Sequence, residues 1–448
     1  MNLSAIHNVY FIGIGGIGMS ALARYFKING KNVAGYDRVS SDVITALQSI
    51  GIDIHFSDSI DEIPKYYFNQ KETLVIYTPA IPKNHSELNF FKNNDYYVFK
   101  RAQILGLITA NTYCFAVAGT HGKTTTSSML GHILKECGVN ATSFLGGIAE
   151  NYNSNLILGG DEVTVVEADE FDRSFLQLSP NIACVTSMDA DHLDIYGAHD
   201  ALELSFKEFA EKVSDKLFVC KGLPLNGLTY GIENNADYKV ENLQIINGTY
   251  SFDVQTPSET IKGIELNLPG RHNVLNAVAA LSMANFYGVS LDQIKNAIKS
   301  FKGVQRRFSY KIKTKNLVLI DDYAHHPTEI NALAHSVKEL YPTKKNVGIF
   351  QPHLFSRTRD FVEEFAKSLA QFDEIILLDI YPARELPIEG VSSEWLLSKI
   401  ENTNKKLVSK DQLVPAIKQA NAEVVVMIGA GDIGELVENV KNQLLKND

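Results

Sequence analysis

The 448-residue chain holds only four cysteines, Cys114, Cys137, Cys184 and Cys220. None forms a CxxC pair. Their spacing fits neither a zinc site nor a disulfide framework, so a reducing compartment, the cytoplasm, is expected. Basic residues are also in short supply: 42 Lys and Arg stand against 52 Asp and Glu, a formal net charge of −10. Nucleic-acid backbones are held by basic surfaces, so no nucleic-acid partner is expected. No apolar run approaches the roughly 20 residues of a membrane helix. The longest, such as EVVVMIGAG, are strand-length, and no membrane insertion is expected. The opening MNLSAIHNVYFIGIGG has no basic region and no small-residue cleavage site, which argues against a secretory leader. Internal repeats and low-complexity tracts are absent. So is the base-reading NKxD of GTPase-type switches, since the sequence after Asn404 runs NKKL.

What is present is an ordinary soluble composition, 45% hydrophobic and 21% charged. A chain of this length divides into roughly two to four domains. NVYFIGIGGIGMSALARYFKINGKNVAGYD reads as strand, glycine turn, helix and strand. The pattern restarts at NTYCFAVAGTHGKTTTSSMLGHILKECG, which places a boundary near Leu107–Thr112. VTVVEADE and NIACVTSMDADH read as parallel strands with acidic tips, and the stretch from Leu217 to Leu268 as a small antiparallel insertion. After KGVQRRFSY, the strands LVLIDD, NVGIFQ, EIILLDI and VVVMIGAG alternate with helical stretches. The expected division is 1–108, 109–305 and 306–448, three α/β domains.

Gly13, Gly15 and Gly18 match GxGxxG between a strand and a helix, with Asp37 further on where a ribose-binding acid would sit. A tight strand–helix turn would look alike; the context favours a phosphate-bearing ligand at the helix N-terminus. GAGDIG at Gly429–Gly434 has the same spacing but too little chain after it, and reads as structural or as a loop near another site's ligand.

GTHGKTTT, Gly119 to Thr126, is a phosphate loop of unusual spacing: the usual first glycine is replaced by Val117. Gly119 and Gly122 let the backbone wrap phosphate oxygens, Lys123 reaches the β and γ phosphates, and Thr124 or Thr125 offers a hydroxyl to Mg²⁺. Glu167, Asp169 and Glu170 end a strand, as metal-holding acids do in phosphate-loop enzymes. Asp189, Asp191, His192 and Asp194 form a second acidic tip.

His272 and Asn276 share a helix face, where a plain polar helix start would also put them. Arg306 and Arg307 lie at a domain seam, either a surface pair or cations within reach of a transferring phosphoryl group. Asp322, His325 and His326 follow a strand, and Pro327 then begins a helix, so part of that motif is capping. His353 and Arg357 follow another strand, where ligands of open α/β sheets gather.

Taken in order, GIGGIGMSALA, AGTHGKTTTS, EADEFDRSFL, DADHLDIYG, PGRHNVLNA, GVQRRF and DDYAHHPTE resemble the Mur ligases across nearly the whole chain. That family's phosphate loop resembles GTHGKT, which accounts for Val117. The resemblance is to its alanine-adding branch, and implies a Rossmann-like UDP-substrate domain, a central ATPase domain and a Rossmann-like C-terminal domain that closes over ATP and the amino acid. It implies ATP and Mg²⁺ as cofactors, and UDP-N-acetylmuramate and L-alanine as substrates, in a monomer or homodimer. By it, Gly15, Gly16, Gly18, Asp37 and Arg101 serve the UDP-substrate. Gly119, Thr120, His121, Gly122, Lys123, Thr124, Thr125, His272, Asn276, Arg307 and Asp322 serve ATP. Thr124, Glu167 and His192 serve the metal; His325, His353 and Arg357 serve the amino acid; and Lys123, His192, Arg307 and His326 form the catalytic set. Leu354 departs from the basic residue many members carry, which loosens the assignment of carboxylate binding. Some relatives use a carbamylated lysine; Lys207, in SFKEF, is expected instead to be an exposed helix lysine. The rival readings are a murein tripeptide recycling ligase, which differs in the amine alone, and an NAD-dependent dehydrogenase, which leaves GTHGKTTT without a role.

Overall fold

The computed structural model describes residues 5–189, 199–233, 235–246, 248–383 and 385–446. Three sheets carry the chain. The first is five-stranded and parallel, in the order Asp53–His55, Asn32–Tyr36, Asn8–Ile12, Thr73–Tyr77, Tyr97–Lys100. The order reverses at Asn8–Ile12, so the loop from Gly13 opens where a doubly wound sheet binds ligands.

The second sheet has ten strands. Tyr113–Ala118, the strand ahead of Gly119, lies parallel between Val163–Glu167 and Ile182–Val185, with Val117 opposite Glu167 and Ala118 opposite Val185. This register brings the phosphate loop and the EADE acids to one sheet end. The stretch 217–268 does not form a separate antiparallel insertion. Its strands extend this sheet, and Lys216–Cys220, Leu228–Ile232 and Tyr238–Ile246 pair in parallel. One-sided burial explains the polar look: in Tyr238–Ile246 buried Tyr238 and Val240 alternate with partly exposed neighbours.

The third sheet is six-stranded, parallel except for its edge strand Ser309–Lys313. Val424, Val426 and Ile428 face one core, with helices Pro327–Leu340 and Val362–Leu369, while Val425 and Met427 face the other, with Leu413–Ala420 and Ile433–Leu445. A strand buried on both faces needs an unbroken apolar run, which is why VVVMI does not alternate.

By packing, the chain groups into two compact units: 1–243 with 252–265 and 275–302, and 244–251 with 266–274 and 303–448. The first sheet and most of the second share one unit and one core. Val9, Leu22 and Phe26 cluster there with Ala116, Phe144 and Val166, and Tyr25 meets Phe144 edge-to-face at 5.2 Å between ring centroids. Buried Asn155 of the central sheet donates to the carbonyl of Ile17 (2.6 Å) and to Ser20 Oγ (2.8 Å), pinning the first turn of helix Ile17–Ile28.

Candidate functional site

In the first unit, Gly16 caps helix Ile17–Ile28 with no side chain on its N-terminal N–H groups, which favours an anion there. The Gly15 N–H donates to Asp37 Oδ2 at 2.7 Å, so Asp37 holds the loop. Arg101 begins helix Arg101–Thr109 and lies against Gly18, where an added Cβ would stand 2.8 Å from its guanidinium. Its guanidinium also lies 3.8 Å from Asp169 Oδ2.

The phosphate loop is shaped from behind by two residues that sequence reasoning missed. The Thr186 hydroxyl lies within hydrogen-bonding distance of the carbonyls of both Ala118 and His121, and Ser187 Oγ accepts from the His121 N–H at 2.7 Å. Thr120 pairs with Ser187 through both backbone and hydroxyl, and His121 Nε2 stands 3.2 Å from Asp189 Oδ2. The one available signal was their place at the end of a buried strand beside the loop. Gly119 has φ +133° and Gly122 φ +81°. A Cβ at Gly119 would come within 2.1 Å of Thr186 Oγ1, and one at Gly122 within 2.6 Å of Asn276 Oδ1, so neither position accepts a side chain. Asn276 also accepts from Thr126 Oγ1 at 3.1 Å, which places it beside the loop, 150 residues away in sequence.

Lys123 and Thr124 open helix Lys123–Glu136, and Thr125 is buried one position on. Lys123 Nζ donates to the Gly119 carbonyl (2.6 Å) and pairs with both Glu170 oxygens, at 2.9 and 2.8 Å. Burial alone would lower the Lys123 pKa; the carboxylates of Glu170, Asp169 and Glu167 outweigh it and hold the ammonium above the ordinary lysine value. Thr124 Oγ1 donates to Glu167 Oε1 at 3.0 Å, and the Gly146 N–H to Glu167 Oε2 at 2.9 Å. A hydroxyl beside a carboxylate is the hard oxygen set that Mg²⁺ prefers, and it fits a metal completed by phosphate oxygens and water. No metal-holding group of three His, Cys, Asp or Glu occurs among the described residues. His192, with Asp191 and Asp194, lies outside the described residues. Lys207 sits on helix His199–Glu211, paired with Glu203 at 2.6 Å and about half exposed.

In the second unit, Asp322 ends strand Val318–Asp322. Burial pushes its carboxyl up to about 6, against the pull of Arg307 and the N–H groups of Phe308 and Ala324. Burial, with Arg307 nearby, lowers His272 to about 4. Arg307 reaches Glu329 at 3.7 Å and lies 5.5 Å from the Tyr323 ring centroid. Arg306 lies 5.0 Å from the same ring centroid and also reaches Asp321 and the Gly429 carbonyl. Glu329, also missed, closes a capping box with His326 at helix Pro327–Leu340 and accepts from the His325 N–H at 2.9 Å. Buried His326 packs on Phe361. The His325 ring, its pKa lowered first by burial, lies 6.3 Å from that of His353, which stacks on Tyr381. Arg357 stands on helix Phe355–Asp360, capped by Leu354 at φ +72°. The GAGDIG loop is held by Gln351, which accepts from the Ile433 N–H and donates to Asp432.

Three family models match the chain in sequence order: the Mur ligase family catalytic domain at 8–113, the Mur ligase middle domain at 117–284, and the Mur ligase glutamate ligase domain at 306–432. A UDP-N-acetylmuramate–L-alanine ligase of Flavobacterium psychrophilum is 64% identical over 446 residues, 99% of each chain. One of Flavobacterium johnsoniae is 60% identical over the full length of both. Among solved structures, the UDP-N-acetylmuramate–alanine ligase of Thermotoga maritima is 29% identical with a TM-score of 0.84, covering 98% of this chain and 100% of that one. A murein peptide ligase of Psychrobacter arcticus shares the fold at 21% identity and TM-score 0.72, covering 98% of each chain.

Proposed function

The chain belongs to the Mur ligase family, and on that premise we propose that it is an ATP-dependent ligase of peptidoglycan precursor synthesis. It joins the carboxylate of UDP-N-acetylmuramate to the amine of L-alanine, releasing ADP and phosphate. The observation that carries the reading is the phosphate loop with Lys123 and Thr124 set against the EADE acids. Relatives named for this activity match the chain end to end at up to 64% identity.

A carboxylate cannot expel hydroxide to make an amide, so it first attacks the γ-phosphoryl group. The resulting acyl phosphate has phosphate as its leaving group, and the amine then attacks the acyl carbon. The open turn at Gly15–Gly18, with Arg101 beside it, receives the UDP diphosphate, while Asp37 fixes the turn. Backbone N–H groups of 119–123 wrap the ATP phosphates, and Lys123 and Arg307 spread the charge that develops on the transferring group. Thr124 and Glu167, with His192, would hold Mg²⁺, which when bound neutralises phosphate oxygens. Asn276 braces the loop, and by the family resemblance Asp322 and His272 also serve the nucleotide. Arg357 offers a fixed fork to the alanine carboxylate. His325 and His353 orient the amine, and His326 acts from the helix cap. Free L-alanine carries its amine as an ammonium near neutral pH, so a proton must leave the nitrogen before or as it attacks the acyl carbon. The domain division 1–108, 109–305 and 306–448 and a cytoplasmic location complete the proposal.

Phosphate release measured with ATP, UDP-N-acetylmuramate and a panel of amines tests the reading. L-Alanine is expected to give the highest kcat/KM. A methylene difference in an apolar pocket is worth roughly 10- to 200-fold, so glycine and L-serine are expected to be partial substrates. Highest kcat/KM with L-Ala-γ-D-Glu-meso-diaminopimelate would make the protein a recycling ligase, and bound NAD in the purified protein would make it a dehydrogenase.

A further inference from the structure

The three acids of EADE divide their partners. Glu167 takes the Thr124 hydroxyl and the Gly146 N–H. Asp169 takes Arg101. Glu170 takes the Lys123 ammonium with both oxygens. The Glu170 side chain is 1% exposed and that of Lys123 13%, so the pair has little water to replace either partner. The turn that carries this carboxylate is anchored from below. Glu170 precedes the turn Phe171–Gln177, whose Phe175 N–H donates to the Asp169 carbonyl at 2.9 Å. The fully buried Phe175 ring stacks on Phe209 at 5.0 Å. Lys123 also donates to Gly119 O, so its ammonium lies folded onto the loop's own backbone, where it cannot at the same time reach outward to a γ-phosphate.

We infer that Glu170 is a positioning residue for Lys123, the counter-charge that holds the ammonium folded on the loop until phosphate oxygens compete for it. The inference deepens the proposed function and rests on its assignment of 119–124 as the nucleotide loop. Two consequences pull in opposite directions. A buried carboxylate beside the loop opposes the arrival of a polyanion, so neutralising it must favour binding. The same carboxylate sets where the ammonium stands, so losing it must slow phosphoryl transfer, which depends on placed charge.

Glu170→Gln keeps shape and removes charge. With Mg²⁺ and AMPPCP as the probe, calorimetry is expected to give a Kd roughly 3- to 10-fold tighter than wild type, while kcat for phosphate release falls about tenfold or more. Glu170→Asp keeps the charge but draws it back, and is expected to shift both quantities the same way by about twofold. A merely structural glutamate would weaken binding and turnover together. An unchanged or weaker Kd in either folded variant, or an undiminished kcat in Glu170→Gln, overturns the inference. If wild type itself binds no AMPPCP, it is the functional reading that fails.

Discussion

At the scale of single residues, the site rests on a few side chains with one job each. Lys123→Ala is expected to abolish ATP turnover while leaving UDP-N-acetylmuramate binding largely intact, because the turn at Gly15–Gly18 makes no use of it; turnover within about threefold of wild type would remove Lys123 from the chemistry. A second residue carries a pH signature away from the site. Glu87, fully buried, accepts from Tyr10 Oη at 2.7 Å and from the Ser59 N–H, with His55 3.4 Å away. Asp58, Glu62 and His85 also face the cluster. Burial pushes the Glu87 carboxyl up to about 7. A raised carboxyl binds its proton more tightly in the fold, so its contribution to stability is full below its ordinary value of 4.5 and is lost as pH rises through about 7. His55 and His85 act oppositely: burial lowers both, so their contribution is lost as pH falls below 6.5. Glu87→Gln, a mimic of the protonated acid, isolates the first effect. The Tm of the variant minus that of wild type should grow between pH 5 and pH 8, and a flat difference would show that Glu87 does not titrate there.

At the scale of elements, much of the site was legible because glycine turns and strand-end acids announce themselves in order. The phosphate loop, the EADE tip and the strand before Asp322 lie where the sequence placed them. The 217–268 strands were misread because one-sided burial resembles a separate polar hairpin. Thr186 and Ser187 escaped notice because a hydroxyl that braces a backbone carries no spacing signature. The helix Pro327–Leu340 shows a mixed case: Pro327 announced the start, but the work done by Glu329 emerges only from the fold. Glu329 caps the helix, holds the His325 N–H and meets Arg307. Glu329→Ala should therefore cost about 1 kcal/mol of stability through the lost cap and also raise the KM for ATP or L-alanine, since His325 and Arg307 both lose their brace. A stability loss with unchanged steady-state constants would confine Glu329 to the cap. A second link joins two elements of the first unit, Arg101 at a helix start and Asp169 at a strand end. If Arg101 passes between Asp169 and the UDP diphosphate, AMPPCP affinity in wild type should depend on UDP-N-acetylmuramate by a few-fold, and Asp169→Asn should erase that dependence while both ligands still bind. An undiminished dependence in the variant would break the link.

At the scale of the whole molecule, the boundary expected near 108 falls where one sheet gives way to the next but where no core ends. Sheet membership is written in local pattern, whereas the sharing of a core depends on side chains such as Tyr25 and Phe144 that meet only after folding. The consequence is thermodynamic. The first sheet and most of the second share one unit and one apolar cluster, so they should unfold as a single cooperative block, while residues 303–448 belong to the other unit. The chain provides a selective reporter, because its one tryptophan, Trp395, lies in that second unit, packed against the core of the third sheet. Phe144→Ala removes a buried ring that contacts the helix of the first sheet, a change that typically costs about 3 kcal/mol or more. Calorimetry should show the transition of the first unit moving down by several degrees, with the tryptophan fluorescence transition unmoved. UDP-N-acetylmuramate and AMPPCP should each raise that same calorimetric transition, by about 2.7 kcal/mol at a hundredfold excess over Kd, since both proposed sites include loops of this one block. If Phe144→Ala shifts the Trp395 transition equally, the two units melt together and the division fails. If UDP-N-acetylmuramate raises a transition that Phe144→Ala does not lower, the first sheet unfolds independently of the second, and the shared core does not couple them.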